Sequence, residues 1–254
     1  MIEFRNLVIG YKGVGLFGPF SLDIPKGTMN IIIGANGTGK STLLHTVAGN
    51  LPAVGGEIML NGKNINGLST KELSRQISLV YTERASGGGL TVRELVGMGR
   101  YPYTGLMGRL SEEDKAIVER AMEDVGVSHK AENFVSDISD GERQKAMIAR
   151  ALAQQTGVLT LDEPTNFLDA ASRLEVMGLI RRLTDEKGIT VLLSTHDISV
   201  SMKMCDNVIT ILPEEEPAVA IHAAGSEESE LRLGKVFANR GVVYDRESHD
   251  FRLG

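Results

Sequence analysis

The feature that most constrains this chain is a glycine-rich segment at residues 34–41, which has the sequence GANGTGKS. It matches the pattern G-x-x-x-x-G-K-[ST] at every fixed position. It follows a short apolar run at residues 28–33 and precedes a helical pattern that includes Leu43, Leu44 and Val47. A strand, a glycine-rich turn and a helix in this order are the context that a phosphate-binding loop requires. The segment is therefore predicted to bind the phosphates of a nucleotide.

The residue types in this loop explain how it would hold phosphate. Glycines allow successive backbone N–H groups to turn inward and form a nest for an anion, and the following helix adds the positive end of its dipole. Lys40 supplies a charge for the outer phosphates, and the hydroxyl of Ser41 can ligate Mg²⁺, which prefers oxygen ligands. The alternative is a glycine-rich turn that binds nothing, and the complete motif in its context disfavours it.

A second, acidic half of such a site is expected at the end of an apolar strand, and residues 158–163 (VLTLDE) supply it. Asp162 would hold Mg²⁺ directly or through water. Glu163 would orient or deprotonate an attacking water. A strand that ends in a polar turn is common on its own. Asp162 and Glu163 therefore indicate a nucleotide site only in combination with the loop at residues 34–41.

The order of apolar segments predicts an α/β fold. Strand and helix patterns alternate over residues 158–212, which implies a parallel sheet covered by helices. From about residue 84 to 155 the β pattern disappears, and helices are predicted after Thr91 and Ser111, each of which begins a capping box. The predicted domains are a core at 1–83 and 156–213, a helical insertion at 84–155 and a C-terminal appendage at 214–254. The predicted strands are 2–9, 20–24, 28–33, 57–61, 77–81, 158–162, 190–194 and 207–212, and the later predicted helices are 141–155, 170–186 and 197–205.

Composition and charge narrow the class of function. The 254 residues contain 27 Lys and Arg against 33 Asp and Glu, a net charge of −6, which disfavours a protein that binds a nucleic-acid backbone. Cys205 is the only cysteine, so an intrachain disulfide and a cysteine metal cluster are excluded. The first residues lack the pattern of a signal peptide, and no apolar stretch reaches the ~18 residues of a membrane span. We therefore expect a cytosolic protein.

Several further motifs resemble those of one family, the ATP-binding-cassette (ABC) ATPases. Residues 138–145 (ISDGERQK) resemble the LSGGQ signature, and residues 161–165 (LDEPT) resemble the extended Walker B motif. Residues 166–169 (NFLD) resemble the D-loop, and His196 resembles the switch histidine that senses the γ-phosphate. Tyr11 lies where the family places an aromatic ring that stacks on adenine.

The resemblance implies a P-loop NTPase core of the ABC ATPase type, with an antiparallel β edge subdomain and an inserted α-helical subdomain. It also implies a head-to-tail homodimer with two shared ATP sites, in which the signature faces the P-loop of the partner subunit. Glu163 and His196 are the implied catalytic residues, and Ser41, Asp162 and Glu83 are the implied Mg²⁺ ligands. The implied ATP-binding residues are Tyr11, Gly34, Asn36, Gly37, Gly39, Lys40, Ser41, Thr42, Ser139, Gly141, Glu142 and Asp169.

Two positions depart from the family pattern. Asp140 stands in the signature where glycine is usual, and a carboxylate beside a phosphate site is unfavourable unless it points away or caps the helix. The Q-loop glutamine expected after the strand at 77–81 is absent, and Thr82 or Glu83 falls there. Glu83 would act as an oxygen ligand that reports whether Mg-ATP is bound.

Residues 90–103 are similar to the region after the Q-loop in ATPases of iron-siderophore, haem and cobalamin importers. This similarity implies ATP-driven uptake of a metal chelate through separate polytopic permease subunits, with a substrate-binding protein as an indirect partner. The chain would then lie on the inner face of the cell membrane. Residues 71–109 carry six bases and three acids, which suits a face that docks on the permease subunits.

Two alternatives stay open. One is a soluble ABC ATPase that acts on DNA or ribosomes, which the net charge of −6 disfavours. The other is a regulatory module that binds ATP without hydrolysing it, which Asp140 and the missing glutamine favour.

Overall fold

The computed structural model describes residues 1–81, 89–105, 108–236, 238, 242–245, 248 and 250–253, so Thr82 and Glu83 lie outside the described residues. The β-strands are β1 (Ile2–Tyr11), β2 (Val14–Ile24), β3 (Met29–Ile33), β4 (Gly55–Leu60), β5 (Lys63–Asn64), β6 (Ile77–Val80), β7 (Val158–Asp162), β8 (Thr190–Ser194), β9 (Asn207–Ile211), β10 (Val219–Ala223), β11 (Val242–Asp245) and β12 (Asp250–Leu253). The α-helices are α1 (Lys40–Val47), α2 (Thr70–Ser74), α3 (Val92–Gly97), α4 (Glu112–Val125), α5 (Asp140–Ala153), α6 (Ala170–Lys187), α7 (Ile198–Met202) and α8 (Glu227–Val236).

The central sheet has six strands in the order β10-β9-β3-β8-β7-β6. The neighbours from β9 to β6 are parallel, and β10 is antiparallel to β9. Every residue of β3 and β8 is buried, as expected for strands that helices cover on both faces. The carboxyl ends of β3, β8 and β7 are adjacent, and loops at this edge of a parallel sheet usually form the binding site. The predicted α/β fold is confirmed.

A second sheet has four antiparallel strands in the order β2-β1-β4-β5. On its buried face the rings of Phe4 and Phe20 meet edge to face with centroids 5.8 Å apart. This is the predicted antiparallel β subdomain, but β2 begins at Val14 rather than at residue 20. The alternation is hard to detect there because Gly15 and the pair Gly18-Pro19 interrupt it.

The helices α3, α4 and α5 form the predicted helical insertion. Capping boxes begin α3 at Thr91 and α4 at Ser111, as predicted, and α4 ends at Gly126, which has a φ of 75°. Among the described residues between 84 and 155 no strand is present, and a single antiparallel bridge joins Thr91 to Phe134.

Arg100 holds the helical insertion together. Its side chain is 5% exposed, and its Nε donates to Oδ1 of Asp114 at 2.8 Å. Its Nη1 donates to the carbonyl of Ala153 at 2.8 Å and to Oε1 of Gln155 at 2.9 Å. The guanidinium also lies 3.9 Å from the centroid of the Tyr103 ring, close enough for a cation–π contact. Arg100 thus links the segment after α3 to the start of α4 and the end of α5.

The segment after Pro213 is tied to the core sheet. β10 lies along β9, with Val219 opposite Ile211, and α8 packs against both strands. The division of the chain into a core and an appendage at residue 214 stays a prediction. Within the described ranges, none of the helices has the length and apolar character that a membrane crossing needs.

The helix predicted at 197–205 is shorter than expected. α7 ends at Met202, and the backbone N–H groups of Met204 and Cys205 share the carbonyl of Ser201 as acceptor. The next N–H group, that of Asp206, donates to the carbonyl of Met29 in β3. The chain therefore leaves the helix early to enter β9.

Candidate functional site

The glycine-rich loop at residues 34–41 joins β3 to α1 at the carboxyl edge of the central sheet. Gly37 and Gly39 have φ values of 80° and 98°, a left-handed conformation that side chains disfavour. At Gly39 a Cβ atom would also lie 2.9 Å from the ring of Phe17, which is too close. The path of the loop therefore requires glycine at both positions.

The ammonium group of Lys40 lies inside this loop. Its Nζ donates to the carbonyls of Gly34 at 2.9 Å and Ala35 at 3.2 Å, and the residue is 6% exposed. Burial lowers the pKa of Lys40, and the carboxylates of Glu163 and Asp162 oppose this shift. A phosphate group at the loop would compensate the same buried charge.

Asp162, at the end of β7, contacts the hydroxyl that follows Lys40. Its Oδ1 accepts hydrogen bonds from Oγ of Ser41 at 3.0 Å and from Oγ of Ser194 at 2.6 Å. Nε2 of His45 lies 4.0 Å from the other oxygen, Oδ2. Among the described residues no cluster of three His, Cys, Asp or Glu side chains could hold a metal by itself. One carboxylate and one hydroxyl are instead the protein ligands that Mg²⁺ uses beside substrate phosphates.

Glu163 is held by contacts on both of its carboxylate oxygens. Nε2 of His196 lies 2.7 Å from Oε1, and Nδ2 of Asn166 donates to Oε2 at 3.1 Å. The backbone of Glu163 has a φ of 50°, and its N–H donates to Oγ of Ser194 at 2.9 Å. Left-handed backbone at a residue other than glycine costs ~1–3 kcal/mol and is often kept at functional sites.

A cleft of about 470 Å³ lies at these residues, although Gly34 and Asp162 are not among its lining residues. The predicted residues that line it are Tyr11, Asn36, Gly37, Gly39, Lys40, Ser41, Thr42, Glu163 and His196. Tyr11 is 50% exposed, and its hydroxyl forms a hydrogen bond of 2.8 Å with Oγ1 of Thr42. The bond fixes the position of the ring at the mouth of the cleft, where its face can stack on a planar base.

The signature serine and glutamate form a capping box at the start of α5. Glu142 Oε2 accepts from the backbone N–H of Ser139 and from its hydroxyl, both at 2.9 Å. Nζ of Lys130 lies 3.3 Å from Oε1 of Glu142. The hydrogen bond from the backbone N–H of Ser139 is the main reason why the pKa of Glu142 is below its ordinary value.

The carboxylate of Asp140 forms an ion pair with Arg143. Nη1 of Arg143, one turn further along α5, donates to Oδ1 of Asp140. The same guanidinium donates to the carbonyls of Val135 at 3.2 Å and Ile138 at 3.0 Å, so its position is fixed. The unusual carboxylate of the signature therefore has a cation as its neighbour.

Asp169 caps the next helix, α6. Its carboxylate accepts from the backbone N–H of Ser172 at 2.9 Å and from the hydroxyl of Ser172 at 2.8 Å. A Cβ atom on Gly141 would lie 3.0 Å from Oγ of Ser172, so the starts of α5 and α6 are in close contact. Among the described lining residues of the cleft, none comes from Ser139, Gly141, Glu142 or Asp169.

Some residues that support this site were not predicted from the sequence. Ser194 contacts Asp162 through its hydroxyl, and the two residues are direct partners in the parallel register of β7 and β8. Asn166 was named only as part of the D-loop resemblance and not as a site residue, and His45 was missed. Knowing that β8 lies beside β7 would have identified Ser194, since both strands end at this edge. Glu83 lies outside the described residues.

The strand–loop–helix, the hydroxyl–carboxylate pair and the paired glutamate together define a P-loop nucleotide-binding protein. A family profile described as "ABC transporter" matches residues 17–166. The chain is 39% identical over 207 residues to the iron(3+)-hydroxamate import ATP-binding protein FhuC of Bacillus subtilis, which covers 82% of this chain and 77% of the relative.

It is 37% identical over 241 residues to the ferric enterobactin transport ATP-binding protein FepC of Escherichia coli, covering 95% of this chain and 88% of the relative. Among solved structures it is similar to the ATP-binding cassette MJ0796, a dimer in a post-hydrolysis state with ADP and Pi. The TM-score is 0.71 at 27% identity, over 83% of this chain and 94% of that one. The chain belongs to the ABC transporter family, as an ATP-binding subunit whose ATP hydrolysis drives transport.

Proposed function

We propose that this chain hydrolyses Mg-ATP in a head-to-tail homodimer and thereby powers the uptake of a metal chelate, most specifically an iron–siderophore complex. The observation that carries the hydrolysis is the pair of Glu163 and His196, in contact at 2.7 Å beside the phosphate loop. A carboxylate in this position can accept a proton from an attacking water.

Different residues of the cleft would bind different parts of the nucleotide. The loop around Gly37 and Gly39 offers backbone N–H groups to phosphate oxygens, and Lys40 neutralises their charge. Ser41 and Asp162, which contact each other at 3.0 Å, would hold Mg²⁺. Tyr11 would stack on adenine. Mg²⁺ supplies charge neutralisation of the phosphates when bound.

A dimer is supported by the residues that do not line the cleft. Ser139 and Asp169 cap α5 and α6, whose starts touch through Gly141 and Ser172. The N-termini of two helices thus lie side by side, and such ends favour anions. In a head-to-tail pair this surface would cover the γ-phosphate bound by the partner subunit, and a similar cassette was solved as a dimer.

The cargo and the membrane partners are inferred from relatives. Two relatives named for ferric hydroxamate and ferric enterobactin support an iron–siderophore cargo, and haem and cobalamin complexes are the other members of the proposed class. Polytopic permease subunits would hold the dimer on the cytoplasmic face of the membrane, and a substrate-binding protein would deliver the chelate to them.

The charge of residues 71–109 gives this docking limited support. Arg93 is paired with Glu119 and Glu132, and Arg100 is buried. Arg75 donates to the carbonyl of Pro102 at 2.9 Å. The described bases of this segment are therefore largely used within the chain, so shape would matter more than charge in docking.

The test is to purify the chain from its native membrane and to identify what remains bound. Co-purification of a polytopic protein, and uptake of a radiolabelled ferric siderophore by vesicles that contain the complex and internal ATP, would support the proposal. Co-purification of nucleic acid instead would favour the alternative on DNA or ribosomes. ATP binding without phosphate release, with the membrane protein present, would favour the regulatory module.

A further inference from the structure

The chain turns back on itself directly after Glu163, and this turn brings the side chain of Asn166 next to the Glu163 carboxylate. The backbone N–H of Asn166 donates to the carbonyl of Glu163 at 3.0 Å, which closes a turn of four residues. Nδ2 of Asn166 donates to Oε2 of Glu163 at 3.1 Å. The contact between the two side chains is therefore built into the turn itself.

The orientation of the Asn166 amide follows from a second contact. Its Oδ1 accepts a hydrogen bond from the backbone N–H of Phe167 at 3.1 Å. An amide has one acceptor end and one donor end, so this bond directs the NH₂ group toward Glu163. The reverse orientation would place the amide oxygen against a carboxylate oxygen and would lose both hydrogen bonds. Asn166 therefore acts on Glu163 as a donor.

The two oxygens of the Glu163 carboxylate have different partners. Nε2 of His196 lies 2.7 Å from Oε1, and Asn166 binds Oε2. The last torsion angle of a glutamate side chain has a broad energy minimum, so a contact at one oxygen alone lets the carboxylate plane rotate. The contact at the second oxygen fixes this plane. The side chain of Glu163 is 24% exposed, so water still reaches the carboxylate that the two contacts hold.

We propose that Asn166 is a positioning residue for ATP hydrolysis, which holds the carboxylate of Glu163 in the orientation that accepts a proton from the attacking water. The inference rests on the proposed function, in which Glu163 is the general base. Proton transfer requires the accepting oxygen to lie within hydrogen-bond reach of the water, and a rotating carboxylate meets this condition for only part of the time. Each carboxylate oxygen has two lone pairs, so the bond from Asn166 leaves Oε2 able to accept from water as well.

Steady-state ATP hydrolysis by the full-length chain tests this role through the separate effects on kcat and KM. Asn166→Ala should lower kcat about three- to tenfold, the effect of one hydrogen bond at an exposed residue where water competes. Asn166 does not line the nucleotide cleft, so the KM for ATP should stay the same. A raised KM with an unchanged kcat would overturn the proposal, because it would place Asn166 in nucleotide binding.

Three further variants separate the donated hydrogen bond from the size of the side chain. Asn166→Asp keeps the size and the acceptor for the N–H of Phe167 but replaces the donor with an anion, so kcat should fall at least as far as in Asn166→Ala. Asn166→Gln retains a donor amide and should restore part of the rate. Asn64→Ala is the matched control: Oδ1 of Asn64 also accepts a backbone N–H, that of Asn66 at 2.9 Å, but Asn64 does not line the cleft, so kcat should not change.

The carboxyl carbon-13 resonance of Glu163 provides a measurement that does not need turnover. In a chain labelled at its glutamate carboxyl groups, this resonance is identified by its absence from Glu163→Gln. Asn166→Ala should shift it in the nucleotide-free chain, and Asn64→Ala should not. If kcat and the resonance are the same in Asn166→Ala as in the unaltered chain, the positioning role is wrong. If the unaltered chain releases no phosphate even with its membrane partner, the proposed hydrolysis fails instead, and the resonance alone decides whether Asn166 holds the carboxylate.

Discussion

Nε2 of His196 lies 2.7 Å from Oε1 of Glu163, at the carboxyl edge of the central sheet. Two adjacent strands, β7 and β8, place these residues, and the left-handed backbone of Glu163 turns its side chain toward the cleft. The contact joins the residue proposed to accept a proton to the residue proposed to sense the γ-phosphate.

Glu163→Gln should abolish turnover while ATP still binds. The amide keeps the size of the side chain but cannot accept a proton from water, and loss of a general base costs about 10²–10⁴-fold in rate. Phosphate release and the affinity for a fluorescent ATP analogue measure the two effects. Because the γ-phosphate is retained, size-exclusion chromatography with ATP should show a stable dimer. Normal turnover in this variant would refute the proposed mechanism.

Ser194→Ala should weaken Mg²⁺ binding. The hydroxyl of Ser194 donates to Oδ1 of Asp162 at 2.6 Å and accepts from the backbone N–H of Glu163, so it orients both acidic residues. Loss of such an orienting hydrogen bond typically costs 10–100-fold in metal affinity, and we expect about tenfold at this site. The measurement is the Mg²⁺ concentration that half-saturates ATP binding.

Ser201→Ala is the matched control for that variant. The hydroxyl of Ser201 is buried without a hydrogen-bond partner among the described residues, so its removal should not change Mg²⁺ dependence. Equal Mg²⁺ requirements in Ser194→Ala and the unaltered chain would show that Ser194 does not orient Asp162.

Asp140→Gly should strengthen the ATP-dependent dimer. It removes a negative charge from the start of α5, the end proposed to face the γ-phosphate of the partner subunit, and leaves Arg143 without its carboxylate. A single charge at a helix end is worth ~0.3–1 kcal/mol, so the ATP concentration at half-maximal dimer formation should fall roughly two- to fivefold. Glu112→Gln, on α4, removes an exposed acid elsewhere and should change nothing. An unchanged or weaker dimer in Asp140→Gly would show that the carboxylate does not oppose nucleotide.

Asp114→Asn should destabilise the fold and alter its response to acid. Hydrogen bonds from Ser111 and Arg100 lower the pKa of Asp114 below its ordinary value of 3.8. The carboxylate therefore stabilises the fold above that value, and this contribution is lost as the pH falls through the lowered pKa. Breaking a buried ion pair costs about 3–5 kcal/mol, so urea unfolding at neutral pH should show a large loss.

Unfolding experiments at low pH show whether the lost stability of Asp114→Asn comes from the missing charge or from altered packing. Since protonated Asp114 has already lost the interaction, the stability difference between Asp114→Asn and the unaltered chain should shrink as the pH is lowered. A difference that stays constant with pH would mean that packing, and not the charge of Asp114, is responsible.

The motif positions of the site could be predicted, but the contacts between them could not. The spacing around Lys40 and Asp162 identifies a phosphate loop and an acidic strand end from local patterns alone. Their juxtaposition depends on the strand order β3-β8-β7, in which β3 pairs with residues of β8 that lie more than a hundred positions further along the chain. Ser194 acts only through the pairing of β8 with β7, so its sequence context carried no signal.

The charge of a residue alone did not predict its role in the structure. The sequence places Arg100 among the bases of a predicted docking face, yet it is buried against Asp114 and Tyr103. The sequence predicts that Asp140 disturbs a phosphate site, and the structure shows that its carboxylate is paired with Arg143. In both cases the partner lies within fifteen residues, and only the fold shows that the two side chains meet.

The pairing of β10 with β9 has a consequence for shortened versions of the chain. β9 is parallel to β3 on one side and depends on β10 for hydrogen bonds on the other. A chain cut after Pro213 would present β9 as a bare edge whose backbone N–H and C=O groups invite pairing with another polypeptide. Such a truncation would tend to aggregate, even though every residue of the nucleotide cleft precedes the cut.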